Sequence, residues 1–343
     1  MSKRVQRVRA PEPGATHRAP GVFGRATAAI HRFFEREIDP FVLGLYRASL
    51  GMYVLLYYVM LAPSWMFFHG MSGLTPIDRT GAISYDWLSP LFFHVRSDEA
   101  MWILYGVSVV SAILLALGVF WRVACLWLWQ MDIGLMVGNP YVTNSEEQVM
   151  IILLLFALFM PLGASLTLPQ LWSRERRRAM LCGDGATRVK AWAALGLQMH
   201  LMFVYLASLP DKLSDSAWRD GTVVYYAMMA LDYPRWPGME IFAWGNAALG
   251  RVMTLFAVAT ELLVPFFIWF RRWRVPCVLA AMSLHLGMTV LLEGVMMFNV
   301  AMIVGLVLFL PSRSTRLLVA RVLRLCPPDS AARDSTSTST AAP

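Results

Sequence analysis

A hydrocarbon core of ~30 Å takes roughly 20 helical residues to cross, with every backbone group paired inside the segment. This chain meets that requirement repeatedly. Apolar runs cover about 41–62, 101–120, 123–137, 147–162, 191–210, 251–270, 275–293 and 295–311. They are too long, and alternate too little, for the strands of about ten residues that build membrane β-barrels. Hydrophobic residues make up 57% of the chain and charged ones 15%, whereas soluble chains carry about 25% charged residues. The expected fold class is therefore all-α, a polytopic transmembrane helical bundle of about eight spans.

Charge placement orients the bundle. Of the 30 basic residues only Lys3, Lys190 and Lys212 are lysines. With the N-terminus in the cytoplasm and the spans alternating, 23 of the 30 fall in cytoplasmic segments and six in outer ones, with Arg47 inside the first span. That asymmetry follows the positive-inside rule and places both termini in the cytoplasm. The expected localisation is the cell membrane, as a multi-pass protein. Because the basic residues flank apolar runs, their partner is the lipid bilayer and not nucleic acid.

The four cysteines, Cys125, Cys182, Cys277 and Cys326, form no C-x-x-C pair and have no zinc-ligand spacing. No redox centre, disulfide framework or metal site is expected. Residues 1–20 read as a disordered basic N-terminus and 21–312 as the bundle, entered by an amphipathic interfacial helix near 22–38. Residues 313–343 read as a basic helix followed by a disordered Ser/Thr tail. Two long outer loops, about 63–100 and 211–250, carry Trp, Pro, Gly and acidic residues and are candidate functional surfaces.

Ionisable groups within spans are few and costly, about 2.5–3.5 kcal/mol at a helix centre. Asp132, His200, Glu261 and His285 are expected toward the bilayer middle, where a carboxylate and an imidazole form a proton relay or an acid/base pair. Bundles also use such groups as simple inter-helical glue. The span near 191–210 adds a pattern. Gln198, Tyr205 and Lys212 recur every seven residues, and a heptad drifts only ~20° on a straight helix, so the three line one stripe. Lys212 is either a base in an apolar hollow or a snorkelling anchor paired with Asp211 or Asp215.

Residues 198–221, QMHLMFVYLASLPDKLSDSAWRDG, hold Gln198, Tyr205, Lys212, Leu213, Trp218 and Gly221 in order. With Gly73-Leu74-Thr75-Pro76, Trp87, Asn139-Pro140, Asn144, Glu261-Leu262-Leu263, Pro265, His285 and Phe298, they resemble the HTTM (horizontally transferred transmembrane) domain. That family is related to the membrane part of vitamin K-dependent gamma-carboxylase. The resemblance spans about residues 38–312. It implies a multi-pass bundle and, at the position of Lys212, the base that starts hydroquinone oxygenation in the carboxylase. The carboxylase's large lumenal region is expected to have no counterpart in the 32 residues after Pro311.

The expected function is an integral membrane protein that binds a quinone-type ligand. Lys212 is its base for redox or carboxyl-type chemistry, and Gln198, Tyr205, Glu261, His285 and Trp218 line the site. A secreted or membrane protein is the expected substrate partner. The alternatives are a non-enzymatic maturation or export partner acting through its outer loops and, less favoured, a proton-coupled transporter.

Overall fold

The computed structural model describes residues 22–322 except 36, 75–93, 96, 140–142, 183–187, 231–234, 237 and 239–245. The stretch 1–20, Thr75-Pro76, Trp87, Pro140 and the tail from 323 lie outside these residues. In chain order the elements begin with α1 (Val22–Phe34), β1 (Glu37–Ile38), α2 (Pro40–Leu61), α3 (Trp65–His69), α4 (Asp98–Leu117), α5 (Trp121–Gly138) and α6 (Ser145–Phe159). Next come α7 (Leu168–Trp172), α8 (Arg174–Cys182), β2 (Val189–Lys190), α9 (Trp192–Ser214), α10 (Ser216–Arg219) and α11 (Val223–Met229). The last are α12 (Ala247–Phe267), α13 (Arg274–Leu291), α14 (Met296–Leu306) and α15 (Ser312–Val322).

Each of the eight apolar runs forms a helix, and local signals set several ends. Asp39 accepts from the Phe41 amide at 2.9 Å with Pro40 in the first turn of α2. Ser97 caps α4 through the Ala100 amide at 3.2 Å. Asn144 and Glu147 form a reciprocal capping box at the start of α6, which satisfies amides that have no partner within the helix. Five helices are long and apolar enough to cross a bilayer: α2 with its extension to His69, α4, α9, α12 and α13. Two bent pairs, α6 with 162–172 at 66° and α14 to Phe309 with α15 at 109°, raise the number to seven. The eighth expected span, α5, has 18 residues but carries Arg122, Gln130 and Asp132, which keep it below that hydropathy.

Consecutive helices pack side by side, and α14 runs through the middle against α2, α6, α9 and α13. Its approach to α9 is close: a Cβ on Gly305 would come within 2.5 Å of Leu201 Cδ1. The ends sort by charge. β1 pairs with β2, Glu37 opposite Lys190, and Arg316 of α15 donates to Asp39 at 2.5 Å. Phe41, Leu181 and Ala320 pack together there, bringing α8 and α15 onto the start of α2. One end of the bundle thus gathers the arginines of α8 and α15. The helix α1 leaves Phe23, Ile30 and Phe34 exposed. Cys125 and Cys277 are free and buried. Cys182 is disulfide-bonded, a link that cysteine spacing does not reveal.

Arg47 ties the arginine-rich end together. It is fully buried. Its Nε donates to Leu162 O at 3.2 Å, Nη1 to Leu115 O and Ala116 O at 2.6 and 2.7 Å, and Nη2 to Leu166 O at 2.7 Å. Among the described residues its partners are carbonyls, not a carboxylate. Three of its nitrogens thus complete the end of α4 and the turn after α6, where carbonyls have no helical partner. Gly118 makes room: its φ is +73°, and a Cβ there would lie 2.6 Å from Arg47 Cζ. Arg47→Met is expected to lower the unfolding free energy by on the order of 4 kcal/mol, about 1 for each of the four hydrogen bonds lost. Gly118→Ala is expected to act in the same direction. Thermal unfolding of the purified protein in detergent reads both, and unchanged melting of Arg47→Met would contradict this role.

Candidate functional site

The heptad stripe on α9 forms as the spacing requires, but its three members do different things. Gln198 lies near the arginine-rich end, where its Nε2 donates to Leu308 O at 2.8 Å. It is fourteen residues, roughly 21 Å of helix rise, from Lys212. Its amide pins α9 to the end of the α14 segment and takes no part in the cluster around the lysine.

Tyr205 and Lys212 do converge with the other expected residues. Lys212 Nζ forms an ion pair with both carboxylate oxygens of Glu261 on α12, at 2.5 Å to Oε1. Side-chain exposure is 20% for Lys212 and 9% for Glu261, so the pair sits inside the bundle wall. Asp211 is exposed, and Asp215 instead accepts from the Ala217 amide at 2.7 Å, capping α10. The lysine's counter-charge therefore comes from a different span and not from its own chain neighbours. The Trp218 ring covers the amine, with Nζ 4.8 Å from its centroid, a cation–π contact that also shields the pair from water. Gly221, at φ +75°, lets α10 fold back closely: a Cβ there would lie 2.6 Å from Arg251 Cγ.

Below the ion pair a second chain begins. Ser208 Oγ lies 3.0 Å from Glu261 Oε2 and 2.8 Å from Tyr205 O. Tyr205 Oη lies 2.8 Å from His285 Nε2, and His285 Nδ1 lies 2.8 Å from Asn299 Oδ1. The tautomer follows from the last partner. Asn299 Nδ2 donates to Val295 O at 2.7 Å, so its Oδ1 faces the ring and His285 Nδ1 carries the proton. Nε2 is then the acceptor of the Tyr205 hydroxyl. Tyr205, His285 and Asn299 are buried. Two groups able to accept and donate protons thus lie near each other, Lys212–Glu261–Ser208 on α9 and α12 and Tyr205–His285–Asn299 on α9, α13 and α14, touching only where Ser208 Oγ meets the Tyr205 main-chain carbonyl.

Ser208 and Asn299 complete the cluster beyond the residues singled out from sequence. Ser208 carried no signal except its place one turn before Lys212. Asn299 is an amide in an otherwise apolar helix, and that isolation was its signal. The other expected midplane residues stay apart. Asp132 is fully buried against α2, where it accepts from Tyr58 Oη at 2.9 Å, and His200 is half-buried on α9. Among the described residues no group of three His, Cys, Asp or Glu is placed to hold a metal ion.

The chain matches the HTTM domain over residues 35–313 and belongs to that family. No curated protein and no solved structure matches it.

Lys212→Met and Glu261→Gln each leave one half of a buried pair uncompensated, which costs about 3 kcal/mol or more. The double variant is expected to lose less than the sum of the two, with a coupling of at least about 1.5 kcal/mol in thermal or denaturant unfolding. Effects that add to within about 0.5 kcal/mol would show that the two side chains do not interact.

Proposed function

We propose that this HTTM family member is a multi-pass membrane enzyme in which Lys212, coupled to Glu261, removes a proton from a lipid-soluble quinol-type ligand. The observation that carries the reading is the ion pair's position. It joins α9 to α12 inside the bundle wall, one helical turn from the buried Tyr205–His285–Asn299 chain. A paired ammonium becomes a base only when its proton has somewhere to go. Glu261 is that acceptor, and the Ser208 hydroxyl orients its carboxylate. Tyr205, held by His285 and Asn299, supplies a fixed hydroxyl farther in. Trp218 excludes water from the amine, which strengthens each electrostatic contact beneath it.

The donor set fits a quinol-type ligand. A phenolic oxygen needs one acceptor for its proton and one cation or hydroxyl to hold the resulting charge, and an amine–carboxylate pair beside a serine and a tyrosine offers both. A reduced naphthoquinone, when bound, supplies the oxidisable ring. The protein's residues bind, orient and deprotonate it. Gln198 belongs to the scaffold in this reading. The gathering of arginines at the opposite end supports cytoplasmic termini and an outward-facing site in the cell membrane. There a secreted or membrane protein can serve as the co-substrate.

The test is oxygen uptake by the purified protein in nanodiscs with a reduced short-chain naphthohydroquinone. Wild type is expected to exceed autoxidation. Lys212→Met is expected to fall at least about 10²-fold, the usual contribution of a general base, while still eluting as a folded species on gel filtration. A folded Lys212→Met protein with the wild-type rate would contradict the assignment.

A further inference from the structure

We propose a second site, a hollow for a primary ammonium group, at the end of the bundle opposite the arginine-rich one. The hollow measures about 200 Å³ and lies between the ends of α2, α3 and α5 and the starts of α6 and α14. Its polar lining comes from Tyr57, Ser64, His69, Thr143, Glu146 and Glu147, with Asn144 at the edge. Among the described residues no lysine or arginine lines it.

The hydrogen-bond accounting of this lining is one-sided. Tyr57 Oη donates to Glu147 Oε1 at 3.1 Å, and the Asn144 amide donates to Glu147 Oε2 at 2.8 Å. Asn144 Nδ2 donates to Glu146 Oε1 at 3.3 Å. Thr143 Oγ1 is directed to Met136 O and Asn139 O, both at 3.1 Å, and Ser64 Oγ to Leu61 O at 3.3 Å. The hydroxyl and amide donors are therefore spent within the protein. What remains is the free lone pairs of two carboxylates and the His69 imidazole, which offers one bare nitrogen and one N–H.

His69 also lacks a partner among the described residues. It is only 6% exposed and faces the hollow. Among the described residues its ring has no hydrogen-bond partner, only a stacking contact with Trp65 at 5.1 Å between centroids. Buried polar side chains are nearly always hydrogen-bonded, so an unpaired one facing a cavity marks a ligand position.

A ligand that complements these groups brings donors and positive charge. A primary ammonium has three N–H donors and no acceptor, matching two carboxylates and one imidazole nitrogen. Phe68, Met60, Met136 and Met297 wall the rest and suit the methylenes attached to the amine. At about 30 Å³ per water-sized unit, the hollow takes a head of roughly half a dozen heavy atoms. That size describes a small soluble amine or the ethanolamine headgroup of a phospholipid, and the shared chemistry is the ammonium.

The test is calorimetric titration of the intact protein in phosphatidylcholine nanodiscs with n-butylammonium chloride, and with n-butanol as the neutral match. Saturable binding of the ammonium and none of the alcohol is expected. Glu146→Gln, which leaves the α6 capping residue Glu147 in place, is expected to weaken binding about fivefold or more. Met297→Trp, which fills the hollow, is expected to abolish it, and Lys212→Met to leave it unchanged. Discs containing phosphatidylethanolamine raise the apparent Kd if the amine belongs to a lipid and leave it unaltered if it is soluble. Absence of binding, equal binding of butanol, or loss of binding in Lys212→Met would overturn the proposal.

Discussion

In hydrocarbon a polar group that cannot reach water must find its partner inside the protein, and this constraint organises both ends of the bundle. At the arginine-rich end it is met by Arg47. A single guanidinium closes off carbonyls from the end of α4 and from the turn that follows α6. A lysine could not do this, because it lacks the planar fork that reaches several acceptors at fixed angles. At the other end the constraint is met by pairing Lys212 with Glu261, which Ser208 also contacts, and by bonding Tyr205 to His285 and His285 to Asn299.

The two solutions differ in what they leave free. Arg47 is completely enclosed and bonded to backbone, so it fixes geometry and has no proton to exchange. The Lys212–Glu261 pair is enclosed on its inner side but keeps part of the lysine exposed under the Trp218 ring. Its members also come from two different helices. The backbone-bonded arginine and the inter-helical ion pair thus lie at opposite ends of the bundle. The central helix α14 contributes near both, since Asn299 near its start bonds His285 and Leu308 O, just past its end, receives Gln198.

Much of this was legible in the chain itself. Apolar segments of bilayer length located all eight helices, because the need to satisfy the backbone in lipid leaves few alternatives. The seven-residue spacing correctly placed Gln198, Tyr205 and Lys212 on one stripe. It could not say which of them would share a site, because that depends on what faces each turn of α9. Gln198 meets a carbonyl of the α14 segment, whereas Lys212 meets a carboxylate on α12 that is 49 positions away. Asp211 and Asp215 were nearer in sequence, yet helix geometry turns Asp211 to solvent and uses Asp215 as a cap. Asp132 shared a depth with Glu261 and His285, but depth alone does not bring residues together. It lies across the bundle with Tyr58. The span count was also legible only in part, because α5 pairs helix geometry with three strongly polar side chains.

The central claim is that Lys212 and Glu261 form a charge pair inside the bundle wall. Infrared difference spectroscopy on the protein in lipid, comparing wild type with Glu261→Gln and Lys212→Met, measures this directly. The predicted result is a carboxylate band that disappears in Glu261→Gln and changes frequency in Lys212→Met. A Glu261 band that is indifferent to loss of the lysine would contradict the account.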